Sequence, residues 1–419
     1  MRPGEERCRR RVNQMDYSLI ESLVIPGETR IVFLILDGLS GLPDPQRGTE
    51  LQAAATPNLD ALAARSACGL IDPIMPGVTP GSGPAHFALF GYDPVESNIG
   101  RGLLEGVGIG MELTPRDVVA RINFATVGAD GLITDRRAGR ISNEECHRLC
   151  GILQQAVDLS PDAEFKIMPV KEHRAMILFR ADKLSGEMRD TDPQKTGMAP
   201  LAPAALPGHE SPEAERTAAL VNRFLDQARE ALAGEERANG ILTRGFARAR
   251  EYRTLEERFN LDACAIAGYP MYRGVAKLLG MTLHEITPDP RSSFEALQAV
   301  YRNHEYFFVH VKPTDARGED GDFEGKVKVI EEVDALLPMI TDLNPDVLVI
   351  TGDHSTPTQM AAHSWHPVPV LIASDLSRVD GVKTFDEIAV AAGSLGRMPS
   401  VNLMAVALAH AGRLAKFGA

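Results

Sequence analysis

Carboxylates and imidazoles recur where apolar runs of this chain end. Asp37 follows IVFLIL (31–36), Asp315 lies in the KPTD that follows YFFVHV (306–311), and Asp353-His354 close DVLVITG (346–352). Glu319 stands four residues after Asp315 in KPTDARGEDGDFEG, and His363 opens HSWHPVPV. Carboxylates and imidazoles gathered at strand ends ligate divalent metals of the zinc or manganese type, and the excess of carboxylate tilts the choice toward harder ions. The set is large enough for two cations. Asp-Gly and Asp-His are also ordinary turn and capping pairs, so it is their joint placement that carries the reading. A further group is Ser82, in PGVTPGSGPAHFALFGYDP. Glycines on both sides let the backbone bend and approach a ligand, and a following helix would aim its amides at an anion. A hydroxyl there could attack phosphorus. The segment matches no Walker loop or G-x-S-x-G elbow, and by itself it also reads as a Gly-Ser surface loop.

The elements that must position these groups are legible as patterns. IVFLIL is a continuous apolar run, as expected of a strand buried on both faces of a parallel sheet under helices. TPNLDALAARSAC reads as a helix with Thr56 as its cap and Pro57 at its first position. FEALQAVYRN and GKVKVIEEVDALLPMI precede the second and third strands, giving an α, β, α, β alternation. In a parallel sheet the carboxyl ends of all three strands share one edge, which brings residues 37, 315 and 353 together. Between roughly 112 and 254 the texture changes to short alternating runs such as VVARINFATV, AEFKIMPV and RAMILFR. These predict a half-exposed antiparallel sheet with flanking helices, inserted into the α/β unit. Residues 211–238 read as one amphipathic helix.

Composition bounds the partners. The chain has 419 residues, 44% hydrophobic and 24% charged, which fits a globular fold and not a disordered or fibrous one. Its formal charge of −13 repels nucleic acid and anionic membranes, so neither is expected as a partner, and an anionic substrate needs a local basic cluster. There is no run of 18 apolar residues and no signal-like start, so a cytoplasmic location is expected. Five scattered cysteines predict reduced thiols. Cys146 and Cys150, spaced i, i+4 beside His147, could share a metal but read better as the buried side of a helix.

In order and spacing, LDG, TPGSGPAHFALFGYDP, GRGLLEGVGIG, ARINFAT, DRRAGRI, TDARGEDGDFEGKV, TGDHSTP and HSWHPVPV resemble the alkaline phosphatase superfamily. Within it they resemble the cofactor-independent phosphoglycerate mutases of archaeal type. The resemblance implies an alkaline-phosphatase-like α/β fold, a mostly parallel sheet flanked by helices with an inserted α+β domain. The boundaries expected are 30–111 with 255–419 for the metal-binding domain, 112–254 for the substrate-binding insert, and 1–29 as an N-terminal extension. It implies interconversion of 3- and 2-phosphoglycerate, a step of glycolysis and gluconeogenesis, with two divalent metals and no 2,3-bisphosphoglycerate. One metal would be held by Asp37, Ser82, Asp353 and His354, and the other by Asp315, Glu319 and His363. The family commonly has histidine where this chain has Glu319. A harder oxygen there favours manganese or magnesium over zinc or cobalt.

The chemistry expected of these parts is attack of Ser82 on the substrate phosphate, a phosphoserine, and return of the phosphate to the other hydroxyl, with water kept out by the insert. Guanidinium forks should hold a substrate bearing phosphate and carboxylate. The candidates are Arg101 in GRG, Arg121, Arg136 and Arg140 in DRRAGR, and Arg174, with His173 for proton transfer. Lys326 reads either as a group near the second metal or as a lysine on a surface helix, and Arg273 as a residue near the site without a defined role. A phosphatase or a mutase of another phosphorylated metabolite, and a non-catalytic phosphometabolite-binding protein, are the alternatives the residues leave open.

Overall fold

A computed structural model describes residues 18–97, 99–287 and 289–418. The strands in chain order are β1 (Ile31–Leu36), β2 (Ala67–Asp72), β3 (Asp117–Val127), β4 (Ile133–Asp135), β5 (Glu164–Lys171), β6 (Arg174–Arg180) and β7 (Gly240–Arg248), then β8 (Ala263–Ile266), β9 (Thr282–His284), β10 (Tyr306–Val311), β11 (Val347–Thr351), β12 (Val368–Ala373) and β13 (Gly396–Pro399). They form two sheets. The larger runs β13-β2-β12-β11-β1-β10-β8-β9, and β12 alone lies antiparallel to its neighbours β11 and β2.

Every residue of β1, β10 and β11 is buried, as their unbroken apolar runs require. Alternation divides them between two layers. Ile31, Phe33 and Ile35 face a core with Phe87, Leu104, Tyr272 and Met404, while Val32, Leu34 and Leu36 face another with Leu59, Phe294, Ile330 and Val333. Helices therefore cover both faces, each fully buried side chain contributing roughly 2 kcal/mol of apolar burial. The register pairs Leu36 with Val311 and Ile35 with Thr351, so Asp37, Lys312 and Gly352 leave the sheet at one edge. The mostly parallel α/β architecture expected from the sequence is present, and β11, β1 and β10 are its adjacent central strands.

The second sheet is antiparallel, with β4, β6 and β7 paired to β3 and β5 to β6. It is less exposed than its alternation predicts. Val118, Ala120, Ile122 and Phe124 pack under the helices Asn143–Ala156 and Pro212–Ala231, while Val119, Met176, Leu178 and Ala247 join the core of the larger sheet. What covers that second face is the helix Arg101–Gly108, whose glycines permit very close packing. A Cβ at Gly108 would lie 1.7 Å from Pro270 O, and one at Gly274, in the facing helix Pro270–Leu278, 1.9 Å from Leu104 O. Periodicity cannot tell solvent from a second packed layer, so the alternating strands read as half-exposed.

Three local expectations are corrected. The long helix spans Pro212–Ala231 with Ser211 as its cap, ending short of residue 238 in a turn around Gly234. Thr56 occupies the cap position of Pro57–Ala63 without a side-chain hydrogen bond, and the first turn is capped instead by Asp334, whose carboxylate accepts from the Asn58 and Leu59 amides. Lys326 does not lie on a surface; it is wholly buried. Cys146 and Cys150 are on the buried side of their helix, as read, and Cys146 Sγ donates to Arg174 O.

Candidate active site

Three strand ends and one helix start supply the site. Asp37 leaves β1 into Gly38, whose φ of +62° suits glycine, and a Cβ there would collide with Thr356 Oγ1 at 2.5 Å and Asp315 Oδ1 at 2.8 Å. Asp315 lies in the first turn of Pro313–Glu319 beyond β10. Asp353 and His354 follow β11, and Asp353 Oδ1 accepts from the Gly38 amide at 3.1 Å. Ser82 is the first residue of the helix Ser82–Leu89.

His354 is the hinge of the arrangement. Thr356 Oγ1 donates to Asp315 Oδ1 at 2.6 Å and accepts from His354 Nδ1 at 3.0 Å. That bond puts the ring proton on Nδ1 and leaves the Nε2 lone pair facing Ser82 Oγ at 3.1 Å, Asp353 Oδ2 at 3.2 Å and Asp37 Oδ1 at 3.3 Å. Asp37 Oδ1 and Asp353 Oδ2 are buried and accept no hydrogen bond. A lone pair aimed at two buried carboxylate oxygens is repulsive unless a cation lies among them, so this donor set fits a divalent ion.

The ligand atoms fall into two tight groups, Asp37 with Asp353 and His354, and Asp315 with His354 and His363, each within 4.8 Å. His363 stacks on His354 with ring centroids 3.7 Å apart and is anchored through Nδ1 to Pro80 O. Its Nε2 lies 3.6 Å from Asp315 Oδ1 and 3.8 Å from Glu319 Oε1. Glu319 stands at the outer rim, its side chain 56% exposed. The seven residues expected as ligands from the sequence thus come together, with Glu319 the most peripheral.

The electrostatics are those of a crowded anionic cluster. Burial together with the charges of Asp37 and Asp315 pushes the Asp353 carboxyl well up. Burial also opposes ionisation of Asp37, but His310, Lys312 and His354 outweigh it and hold that carboxyl below its ordinary value. Lys312 Nζ bridges the two groups, pairing with Asp315 Oδ2 and, at 3.1 Å, with Asp37 Oδ2. Its ammonium is held charged by those carboxylates against the cost of burial.

Sequence reasoning did not single out Lys312, Tyr272, His310 or His86. Tyr272 Oη donates to Asp37 Oδ2, and His310 Nε2 is 3.3 Å from the same oxygen. His86 sits one turn beyond Ser82, with Nδ1 2.8 Å from Ser82 O and 3.4 Å from Asp353 Oδ2. Burial pushes its pKa down to about 3, so the ring is neutral and Nδ1–H donates to the serine carbonyl. The available signal was a histidine inside an apolar run, AHFALFG for His86 and YFFVHV for His310.

Most of the residues expected to clamp the substrate belong to the second sheet and its turns. His173, at the turn before β6, is buried, and that burial together with Arg174, Arg137 and Arg140 pulls its pKa down to about 4, which marks one basic cluster in the second sheet. Arg140 and Arg174 are exposed. Arg136 is engaged by Asp192 through two bonds of 2.8 and 2.7 Å. Arg121 lies on β3 beneath the helix Arg101–Gly108, whose Gly102 would bring a Cβ to 3.4 Å from its amide nitrogen. The side chain of Arg101 lies outside the described residues. Among the described residues, no hydrogen bond or ion pair joins His173, Arg136, Arg140 or Arg174 to the Asp37–Ser82 cluster. Arg273 is half-buried and pairs with Glu285.

A family model described as 2,3-bisphosphoglycerate-independent phosphoglycerate mutase matches residues 63–237. A probable 2,3-bisphosphoglycerate-independent phosphoglycerate mutase of Thermus thermophilus is 45% identical over 407 residues, covering 96% of this chain and 99% of the relative. One of Thermotoga sp. RQ2 is 47% identical, covering 96% and 98%. Among solved structures, the cofactor-independent phosphoglycerate mutase of Thermoplasma acidophilum superposes with a TM-score of 0.71 at 28% identity, covering 92% of this chain and 100% of that one. A Pyrococcus horikoshii protein gives 0.78 at 27%, with 94% and 100% covered. With similarity of this degree running along nearly the whole of both chains, the protein belongs to the 2,3-bisphosphoglycerate-independent phosphoglycerate mutase family.

Proposed function

We propose that this protein interconverts 3-phosphoglycerate and 2-phosphoglycerate through a phosphoserine on Ser82, as a step of glycolysis and gluconeogenesis. The observation that carries the reading is the convergence of Ser82 Oγ on His354 Nε2 at 3.1 Å, within a cluster of buried carboxylates and histidines in two ligand groups. Asp37, Asp353, His354 and Ser82 would hold one divalent ion, and Asp315, His363 and Glu319 the other, with manganese preferred because the Glu319 oxygen disfavours zinc and cobalt while the imidazoles of His354 and His363 disfavour magnesium. Bound there, the ions supply the charge that eases ionisation of a hydroxyl and neutralises a transferring phosphoryl group.

The chain's own groups do the rest. His86 fixes the serine by holding its carbonyl, and the first turn of Ser82–Leu89 turns its free amides toward the phosphoryl oxygens. Lys312 keeps a permanent positive charge between Asp37 and Asp315, beside the path of transfer. In the first half-reaction Ser82 Oγ gives up its proton as the Oγ–P bond forms, the bond from phosphorus to the C3 oxygen breaks, and that oxygen takes up one proton in exchange. The second half reverses this with the C2 hydroxyl as acceptor. Arg140 and Arg174, with Arg101 and Arg121, bind the glycerate carboxylate and phosphate, and neutral His173 moves the proton between the two glycerate oxygens. Arg136, tied to Asp192, serves the clamp by bracing the loop that carries Arg140. The basic cluster belongs to the sheet formed by 112–254, so the reaction requires closure of that domain over the residues of 30–111 and 255–419. Closure also excludes the water that would hydrolyse the phosphoserine.

Rapid quenching of enzyme with 3-phosphoglycerate and manganese, followed by mass spectrometry of the peptide containing residue 82, is expected to find phosphate on Ser82. Turnover with no phosphate on that peptide would refute the covalent route.

A further inference from the structure

Lys326 is a buried cation that the reaction does not touch. It extends from the first turn of the helix Phe323–Leu336, is fully shielded from solvent, and donates to three backbone carbonyls, Gly38 O at 2.8 Å, Thr356 O at 2.9 Å and Ser40 O at 3.2 Å. Three acceptors without another donor require three N–H bonds, so the group is an ammonium and not an amine. Burial lowers its pKa, and the carboxylates of Glu50, Glu387, Asp315 and Asp37 counter that loss.

Its three partners belong to the two loops that carry metal ligands from different strands. Gly38 adjoins Asp37, and Thr356 lies two residues beyond His354 and bonds both His354 and Asp315 through its hydroxyl. The same loops are gripped just downstream by buried glutamates. Glu387 accepts from the Gly41 amide and the Thr49 hydroxyl, and Glu50 accepts from the amide and hydroxyl of Thr358. The bonds made by Lys326, Glu387 and Glu50 end on backbone or on side chains next to the ligands, and Thr356 alone carries the cage on to ligand side chains, through Asp315 Oδ1 and His354 Nδ1.

We infer that Lys326 is a positioning residue, a monovalent cation tethered by its own side chain, whose carbonyl cage sets the separation of Asp37, His354 and Asp315 and thereby the affinity for divalent metal. The inference rests on the reading of those residues as metal ligands. Its charge also lies behind the carboxylate cluster, where it offsets repulsion that a neutral residue would leave.

The test uses the whole protein and two variants, Lys326→Met and Lys326→Gln. Methionine follows the lysine stem to its last carbon and leaves open a space the size of one ammonium ion against the three carbonyls. Manganese affinity by titration calorimetry and thermal melting without manganese are measured in ammonium chloride and in tetramethylammonium chloride at equal ionic strength. The wild type is expected to be indifferent to the choice of monovalent ion. Lys326→Met is expected to bind manganese at least about tenfold more weakly in tetramethylammonium, with much of the loss, and of any lowering of the melting temperature, recovered in ammonium. Lys326→Gln, which keeps two donors but no charge, should fall between. Should Lys326→Met fail to fold in tetramethylammonium, its refolding yield in ammonium supplies the same comparison. Manganese affinity equal to wild type, or a loss that ammonium does not relieve, would overturn the inference. A wild type that binds no manganese would instead refute the metal-site reading, while the melting comparison still tests the carbonyl cage.

Discussion

Ser82→Ala separates the proposed chemistry from the fold. Ser82 is the first residue of its helix, Gly81 caps it without a side-chain bond, and the hydroxyl meets His354 Nε2 at 3.1 Å beside the Tyr272 phenol. Removing that one half-buried hydroxyl should cost about 1 kcal/mol of stability, the net worth of a single hydrogen bond. If the same oxygen is the nucleophile, turnover should fall by about 10⁴-fold or more, equivalent to ~5.5 kcal/mol at the transition state. The large ratio between these two effects is the signature sought, since a damaged fold would move both together. The assay is enolase-coupled formation of 2-phosphoglycerate, with a thermal melt and a manganese titration on the same preparation. The melt should move by only a few degrees, while manganese affinity falls by no more than the loss of one of several ligands. A variant retaining turnover within tenfold of wild type would refute the phosphoserine step.

Glu319→His replaces a rim oxygen that lies 3.8 Å from His363 Nε2 with an imidazole. The ratio of zinc to manganese affinity should rise by on the order of tenfold, and an unchanged preference in titrations of metal-stripped protein would show that residue 319 is no ligand. Asp192→Asn tests the bracing of Arg136. Burial pushes the Asp192 carboxyl up, but the Arg136 guanidinium and the Gln194 amide outweigh it and hold it below the ordinary value. A depressed native pKa means stability that is present above the unfolded value of about 3.9 and is lost as pH falls through the native one. The difference in urea stability between wild type and Asp192→Asn should therefore be level, at about 2–3 kcal/mol, from pH 7 to about 4 and shrink below. A difference that grows toward low pH would contradict this sign.

The sequence carried the site further than it carried the surroundings. Unbroken apolar runs identify β1, β10 and β11 because strands buried on both faces have no polar phase, and parallel strands then force Asp37, Asp315 and Asp353 to one edge. Ser82 was legible only as a serine between glycines, and its place beside His354 is tertiary. Tyr272 and His310 were hidden for the opposite reason: each lies in a segment whose pattern is explained by packing, and the hydrogen bond that gives it a role comes from Asp37, far away in sequence. Lys326 misled because lysine is ordinarily solvated, although its spacing from Phe323 and Ile330 puts it on the buried stripe of its helix, where three carbonyls accept from its ammonium. Arg136 could be read as a free guanidinium because nothing in TDPQK announces that Asp192 folds back onto it.

The most direct test of the account is an enolase-coupled assay on metal-stripped protein given 3-phosphoglycerate and no 2,3-bisphosphoglycerate, repeated with manganese, magnesium, zinc and cobalt while inorganic phosphate is followed in parallel. Turnover is expected to be absent without metal and restored best by manganese, with 2-phosphoglycerate formed and little free phosphate. Turnover undiminished after stripping, or phosphate released in place of isomerised product, would contradict this expectation.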